Sequence, residues 1–407
     1  MTSLPDALAL LVPTDDAAAE EADGRQVQLA KPPGSLGLLE LLGSRLSAIS
    51  GRCPPPVPER PVVVLAAGDH GVIAEGVSAW PVEVTGQMVA SFLAGRGAVN
   101  VIASEVGASV VVVDVGVATD IPGPLDRLVK AKVRSGTANL VEEPAMSLDE
   151  ARRAVQVGLS IGDRLVERGA DLLVTGDMGV GNTTSAAALV AAITGWPARS
   201  VTGRGTGISD EMLERKTEAV EGGLERVSSA SSVPVTGLGS LPADLLLAEL
   251  GGLEIGALVG VCVAGAVRRV PVVVDGVVSL AAALVAVRLA PEVVGYLVPG
   301  HRSIEPGATA ALDFMELDPL LDLHLGLGEG TGGCLAVPLV RTAARLLQEM
   351  ATFADAGLSG VIGNDATAPS GSSSAGRTEV DPRARSGADE GAGAGSSAGE
   401  PLSDPLG

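Results

Sequence analysis

Aromatic residues and cysteines are scarce in this 407-residue sequence. Phe, Trp and Tyr make up 1% of the residues, although 46% are hydrophobic. The core must therefore be built from Val, Leu, Ala and Ile, with the 54 glycines serving where backbone approaches backbone or a ligand. The three cysteines, Cys53, Cys262 and Cys334, are far apart and form no CxxC pair. This argues against a disulfide framework or a zinc site and favours a reducing compartment.

Positive charge and long apolar runs are also in short supply. The net charge of −21 opposes non-specific attraction to nucleic acid or anionic lipid. The N-terminus has no basic region typical of a secretory signal, and the apolar runs 255–267 and 276–287 fall short of the roughly 18 residues that a spanning helix needs. We expect a cytoplasmic protein with no membrane segment and no nucleic-acid partner. Any phosphate must then be bound by backbone amides and a few placed cations.

Short Val-rich runs recur along the chain, each ending in a turn former and followed by a helix-like stretch. This alternation is typical of βα units, whose right-handed crossovers give parallel strands with helices on both faces. The sequence predicts an α/β fold with a parallel Rossmann-like sheet flanked by helices. The predicted strands are 61–69, 109–116, 171–177, 271–276, 293–300 and 321–326.

Helices are predicted over 84–93, 147–167, 183–194 and 209–227, with Ser147 as an N-cap and Glu150 completing a capping box. Two amphipathic stretches, 37–49 and 335–353, lie outside the βα rhythm and are expected to pack together. We therefore predict a small helical domain from 1–50 and 335–357 and an α/β catalytic domain over 51–334. Residues 358–407, rich in Gly, Ser, Ala and Pro, are predicted to be a disordered tail.

Polar residues mixed with glycine follow several of the predicted strands, in AAGDHG, GDMGVGNTTS, DGVVS, PGHRSIEPG and LGLGEGTGG. In an open α/β sheet, ligands bind beyond the carboxyl ends of the strands. The common position of these segments predicts a single site at that edge of the sheet.

Two glycine-rich loops are candidates for binding a phosphate. The segment 176–184 joins a predicted strand to a helix, where free amides face an anion. It has no Lys of a Walker loop and no full dinucleotide fingerprint. The second loop, 202–207, precedes a helix that carries Lys216 within two turns. Taken alone, the glycines are equally compatible with a tight turn, and Lys216 with a solvated surface residue.

Glu329 stands between glycines in LGEGTG, directly after a predicted strand. A carboxylate with so little packing around it suits close approach by a ligand, and a surface-loop glutamate is the alternative. Among the histidines, His70 is a candidate for lining the pocket, His301 for orienting a neighbour, and His324 for a structural role. They form no close metal-ligand cluster, so we predict no catalytic metal and no cofactor.

The ordered set of motifs resembles one family, nicotinate-nucleotide:dimethylbenzimidazole phosphoribosyltransferase. The resemblance covers roughly residues 29–353 and includes KPPGSLGLLE, AGDHGVIAEGVSAWPVEVTGQMV, GTANL, GDMGVGNTT, GRGTGISDEMLERK, LGGLEIGAL, VDGVVS, HRSIEP and LGEGTG. It implies a homodimer that moves ribose 5-phosphate from nicotinate mononucleotide to 5,6-dimethylbenzimidazole or a related base. The implied products are alpha-ribazole 5′-phosphate and nicotinate, in cobalamin biosynthesis.

The resemblance also implies roles for individual residues, with Glu329 as the general base. Ser78 and Gln87 are placed near the benzimidazole. The other expected substrate-binding residues are Asp177, Gly179, Gly181, Asn182, Thr183, Gly203, Arg204, Gly205, Lys216, Asp275, Gly276, Ser303 and Gly328.

Four positions depart from the pattern that the family commonly shows. Asp177 stands where relatives often have glutamate and Trp80 where they often have tyrosine. Pro33 stands where they often have leucine, and Leu38 where they often have a basic residue. The shorter reach of Asp177 puts an accessory acid/base role in doubt, and Trp80 changes the expected base pocket. The preferred base is therefore left open.

Two rival functions remain compatible with the residues. One is an NAD-linked oxidoreductase on a doubly wound sheet, which the incomplete dinucleotide fingerprint disfavours. The other is a catalytically silent nucleotide-binding protein, which the presence of Glu329 beside the glycine loops disfavours.

Overall fold

One parallel sheet organises the protein, whose computed structural model describes residues 3–125 and 127–359. Within these residues the sheet has six strands: β1 Pro61–Gly68, β2 Ser109–Gly116, β3 Leu128–Lys130, β4 Leu172–Met178, β5 Val272–Val274 and β6 Leu297–Pro299. Their order is β3-β2-β1-β4-β5-β6, and all neighbours pair in parallel. The predicted α/β fold is confirmed. The strand order reverses between β1 and β4, which opens a crevice beyond their carboxyl ends.

Five of the six predicted strands are confirmed, although β5 and β6 are shorter than expected. The predicted strand 321–326 is wrong. Only Leu321 pairs with the sheet, through a bridge to His301, and His324 takes a left-handed conformation with φ of 55°. That conformation is incompatible with an extended strand. The edge strand β3 was not predicted, because its three residues carry no Val-rich run.

Fourteen α-helices lie within the described ranges. They are α1 Leu4–Leu10, α2 Asp16–Gln28, α3 Leu38–Ser50, α4 Glu83–Leu93, α5 Ala98–Glu105, α6 Leu148–Glu167, α7 Asn182–Thr194, α8 Ala198–Val201, α9 Asp210–Ser231, α10 Ala243–Leu250, α11 Leu253–Val267, α12 Val277–Leu289, α13 Pro306–Met315 and α14 Thr331–Glu349. Short 3-10 helices occupy Gly71–Glu75, Val235–Ser240 and Pro291–Tyr296.

The four helices predicted within the βα rhythm are confirmed as α4, α6, α7 and α9. The capping box at the start of α6 is also confirmed, since Ser147 and Glu150 exchange side-chain and backbone hydrogen bonds. The stretches 37–49 and 335–353 form α3 and α14, which pack against each other and against α2. The division into a small helical domain and a catalytic domain stays a prediction. The predicted tail lies outside the described residues beyond position 359.

Alternate residues of the strands face two separate apolar cores. On β1, Val62, Val64 and Ala66 pack under α6, α7, α11 and α12. Val63, Leu65 and Ala67 point the other way, toward α3, α4, α5 and α14. All eight residues of β1 are buried, because the strand is central and covered on both faces. The sheet is therefore rigid where its carboxyl edge meets the crevice.

Helices α6 and α11 lie in unusually close contact. A Cβ atom on Gly158 would lie 1.7 Å from the Ala257 carbonyl oxygen, and one on Gly260 would lie 2.0 Å from the Val155 carbonyl oxygen. Every residue of α11 from Leu253 to Ala266 is buried. The apolar run at 255–267 is thus a buried helix. Over residues 3–125 and 127–359, no helix is both long and apolar enough to cross a membrane.

Candidate active site

A cavity of ≈ 380 Å³ opens beyond the carboxyl ends of β1, β4 and β5. This volume suits a small-molecule ligand. Most of the predicted site residues line it: Ser78, Asp177, Gly179, Gly181, Asn182, Thr183, Arg204, Gly205, Lys216, Gly276, Ser303, Gly328 and Glu329. The single site expected at the carboxyl edge of the sheet is therefore present as a cavity.

Three predicted residues do not line the cavity. Gln87 is exposed on α4, whereas Val84 and Met88 of the same helix face the cavity. Gly203 contributes its carbonyl oxygen to Lys216. Asp275 is fully buried, and its two oxygens accept hydrogen bonds from the Gly330 and Gly333 amides at 3.0 and 2.9 Å. The substrate contacts of these residues stay predictions, and the contacts of Asp275 fix the start of α14.

Glu329 is held in place by its backbone. Gly328, Glu329 and Gly330 all have positive φ values, of 82°, 62° and 87°. For a glutamate this left-handed conformation is strained, and strain of this kind concentrates at functional sites. A Cβ atom on Gly176 would lie 2.6 Å from the Glu329 carbonyl oxygen. The end of β4 therefore has room for Glu329 only because it carries glycine.

The environment of Glu329 weakens its acidity. The residue is 5% exposed, and among the described residues its Oε2 atom has no hydrogen-bond partner. Burial raises the pKa of Glu329 to about 7, and the charge of Asp275 adds to that rise, whereas a hydrogen bond from the Val99 backbone opposes it. A carboxylate with this pKa accepts a proton efficiently near neutral pH.

Asp177 is a second carboxyl group in the cavity. Its Oδ2 atom accepts a hydrogen bond from Asn182 at 2.8 Å, and its Oδ1 atom has no partner in the described part of the chain. Burial, followed by the charges of Asp275 and Glu254, raises the pKa of Asp177 well above its usual range. Asp177, like Glu329, is therefore a carboxyl group whose burial favours the protonated form. Its position next to Gly328 places it within reach of a ligand of Glu329.

Part of the cavity wall has the features of an anion site. Helix α7 begins after Gly181, whose φ is 93°, with no side chain capping its first amides. Helix α12 likewise begins at the cavity without a side-chain cap, and Gly276 and Val277 line the wall there. Uncapped amides and the positive ends of two helix dipoles favour a phosphate at this end.

Lys216 supplies a buried positive charge to the same end. Its ammonium donates to Thr183 Oγ1 at 2.9 Å and to the Gly203 carbonyl oxygen at 2.8 Å. An ammonium has three N–H donors, so one remains for a ligand. Burial lowers the pKa of Lys216 to about 8, against the opposing charge of Glu305. The interpretation of Lys216 as a solvated surface lysine is therefore wrong.

His70 lies behind the glycine turn and does not line the cavity. Its ring bridges Glu254 Oε1 at 2.7 Å and Ser185 Oγ at 3.0 Å, and all three residues are buried. A Cβ atom on Gly181 would lie 3.3 Å from the Cβ atom of His70. The buried bridge therefore packs against the turn 179–182. The expectation that His70 lines the pocket is wrong.

The two remaining histidines differ in burial. His301 is buried with its Nε2 atom 3.3 Å from Asp275 Oδ1, and its orienting role stays a prediction. The side chain of His324 is exposed, and its ring lies 3.3 Å from Asp322. In the ranges 3–125 and 127–359, no group of three or more His, Cys, Asp or Glu side chains is arranged to hold a metal ion.

Sequence reasoning did not find Glu305 or the apolar lining. Glu305 lines the cavity and accepts a hydrogen bond from the Gly205 amide at 2.8 Å. Its position in HRSIEP, directly after a predicted strand, is the sequence feature that could have identified it as a site residue. The apolar wall carries no such signal, because its residues look like core in the sequence. They are Val77, Val84, Met88, Met178, Val180, Ile208, Val277, Val278 and Leu327.

Known proteins match this chain over most of its length. A phosphoribosyltransferase family model matches residues 11–358. The nicotinate-nucleotide–dimethylbenzimidazole phosphoribosyltransferase of Chloroflexus aurantiacus J-10-fl is 51% identical over 347 residues, which cover 85% of this chain and 96% of that protein. Its counterpart from Salinispora tropica is 49% identical over 365 residues, covering 86% and 97%.

A solved structure agrees with these matches. The crystal structure of the enzyme of the same name from Thermus thermophilus superposes with a TM-score of 0.79 at 46% identity, and covers 85% of this chain and 100% of that one. Fold, cavity and sequence relatives point to the same group of proteins. The chain belongs to the nicotinate-nucleotide–dimethylbenzimidazole phosphoribosyltransferase family.

Proposed function

We propose that this chain transfers ribose 5-phosphate from nicotinate mononucleotide to 5,6-dimethylbenzimidazole or a related base, giving alpha-ribazole 5′-phosphate and nicotinate for cobalamin biosynthesis. The observation that carries the proposal is the joint placement of two poles in one cavity. One pole is the buried carboxyl group of Glu329. The other, the phosphate pole, is Lys216 with the uncapped amides at the start of α7. The names of the relatives support the same reaction.

The leaving group needs little help from the protein. Nicotinate in the mononucleotide is a pyridinium, so breaking its bond to the anomeric carbon returns a neutral ring nitrogen and requires no added proton. The incoming benzimidazole attacks with one ring nitrogen, and the proton on its other nitrogen becomes acidic. Glu329 accepts that proton when it is ionised, a contribution typically worth about 10²–10⁴-fold in rate.

Positioning accounts for the stereochemistry. The phosphate pole fixes the sugar, while the apolar wall, including Met88, Met178 and Leu327, offers surface for planar rings. Attack from the face opposite to the departing nicotinate inverts the anomeric carbon, so a β-nucleotide gives an α-nucleotide. Holding both rings in line lowers the barrier by removing translational and rotational freedom beforehand.

A direct assay tests the proposal. The purified chain is incubated with nicotinate mononucleotide and a panel of benzimidazoles and purines, and mass spectrometry detects the α-nucleotide and free nicotinate. The same panel shows which base is preferred. Binding without product would support a silent nucleotide-binding protein, and binding of NAD would support the oxidoreductase alternative.

The pH dependence of turnover follows from the state of Glu329. Because the pKa of Glu329 in the free protein is raised to about 7 and the ionised form is the active base, kcat/KM is expected to rise as the pH increases through about 7 and then to level off. The measurement is kcat/KM from about pH 5.5 to about pH 8.5. A flat profile over that interval would contradict the role of Glu329.

We also propose that the chain is a cytoplasmic homodimer, as the family resemblance implies. Light scattering after size-exclusion chromatography is expected to give twice the chain mass of 40.5 kDa. A mass that stays at the value of one chain across a dilution series would reject the dimer without affecting the proposed reaction.

A further inference from the structure

Glu305 is a buried carboxylate at the edge of the phosphate pole. It is 5% exposed, stands directly before α13 and lines the cavity. Its Oε1 atom accepts a hydrogen bond from the Gly205 amide at 2.8 Å, and its own amide donates to Ser303 Oγ at 3.3 Å. Over the part of the chain that the structure describes, its Oε2 atom accepts no hydrogen bond.

The charge of Glu305 offsets part of the positive charge that Lys216 supplies for binding a phosphate. The carboxylate would repel a phosphate dianion, and a ligand that covered the free oxygen without donating to it would bind at a cost in free energy. The free oxygen therefore calls for a ligand group that donates a hydrogen bond. In the mononucleotide, the ribose hydroxyls are such donors, and the ribose must lie between the phosphate pole and Glu329.

We propose that Glu305 accepts a hydrogen bond from the ribose hydroxyl pair of the mononucleotide and selects ribonucleotides over deoxyribonucleotides. The inference rests on the proposed function and names a specificity determinant within the same cavity. Recognition of ribose hydroxyls by an acidic side chain is an established device in nucleotide sites on parallel sheets. A site built to pair with a hydroxyl rejects an analogue that lacks it, since its own polar group is left unpaired.

A purely structural role for Glu305 predicts a different outcome. Its Oε1 atom anchors Gly205, and Gly203 packs tightly against the carboxyl group, since a Cβ atom there would lie 2.3 Å from Oε2. If Glu305 only shapes this loop, its replacement damages the use of every nucleotide to the same extent. If it recognises the sugar, replacement reduces the use of the ribonucleotide selectively.

The experiment compares nicotinate mononucleotide with its 2′-deoxy and 3′-deoxy analogues in the wild type, Glu305→Gln and Lys216→Met. Glutamine keeps an acceptor for the Gly205 amide, and Lys216→Met is the matched control at the phosphate pole. In the wild type, kcat/KM is expected to be roughly 10- to 100-fold higher for the ribonucleotide than for at least one deoxy analogue. In Glu305→Gln the preference for the ribonucleotide is expected to shrink to about threefold or less. In Lys216→Met, kcat/KM is expected to fall by the same factor for all three nucleotides, so that the preference for the ribonucleotide is unchanged.

Two results would overturn the inference. One is a Glu305→Gln protein that keeps the wild-type preference for the ribonucleotide over the deoxy analogues. The other is a wild-type protein that uses all three nucleotides equally, a result that requires no variant. A wild type that makes no α-nucleotide from nicotinate mononucleotide rejects the proposed function itself and the inference with it.

Discussion

Replacing Glu329 by glutamine is expected to lower kcat by about 10²–10⁴-fold, while the nucleotide still binds. The amide keeps the size of the side chain and removes the carboxylate that we propose as the acceptor of the benzimidazole proton. The phosphate pole around Lys216 is untouched, so the affinity for nicotinate mononucleotide should stay within a few-fold of the wild type. Single-turnover rates and calorimetric binding measure the two quantities separately.

Stability provides the control for Glu329→Gln. The pKa of Glu329 is about 7 in the folded chain against 4.5 for an ordinary glutamate, so the folded state holds a proton that the unfolded state releases between these values. Wild-type stability therefore falls as the pH rises through that window. The variant, with no charge to bury, should melt at or above the wild-type temperature at about pH 8. Unchanged turnover in a folded variant would reject Glu329 as the base.

Replacing Gly158 by alanine is expected to destabilise the fold by about 1–3 kcal/mol or more. The added methyl group would lie 1.7 Å from the Ala257 carbonyl oxygen, where α6 and α11 cross. Neither helix can move away easily, because α11 is buried along nearly its whole length. Urea-induced unfolding gives the change in the free energy of unfolding.

Gly24→Ala is the matched control for Gly158→Ala. Gly24 also lies inside a helix, α2, and a Cβ atom there would meet nothing within 4 Å. Alanine should therefore stabilise this position by about 0.5–1 kcal/mol through its higher helix propensity. Equal effects of the two substitutions would show that the contact between α6 and α11 is looser than the structure indicates.

The parts of the fold that the sequence predicted are those with a strong local signal. The Val-rich runs of β1, β2 and β4 and the capping box at Ser147 are local patterns, and each is confirmed. The stretch 321–326 looked like a strand, but only its first residue pairs with the sheet and His324 turns the chain. The buried helices α11 and α12 were not predicted, because uniformly apolar runs carry no periodicity.

The site residues, too, could be predicted only where the local sequence carries a signal. Glu329 and the glycine turns stand out in the sequence because they follow predicted strands, where an open α/β sheet binds its ligands, and the structure brings them to one cavity. Glu305, whose charge acts on Lys216, is 89 positions away in the chain, so their proximity depends on the tertiary fold. Met88 faces the cavity and Gln87 does not. Which of the two faces it depends on how α4 is rotated about its axis, and a family pattern alone does not fix that rotation.

The pair of hydrogen bonds that Asp275 accepts from the Gly330 and Gly333 amides has a practical consequence for shortening the protein. It ties the residues that follow Glu329 to the first turn of α14, and the rest of that helix packs on α2, α3, β4 and β5. A truncation that enters α14, whose last residue is Glu349, is therefore expected to remove the support of the Glu329 carboxyl group.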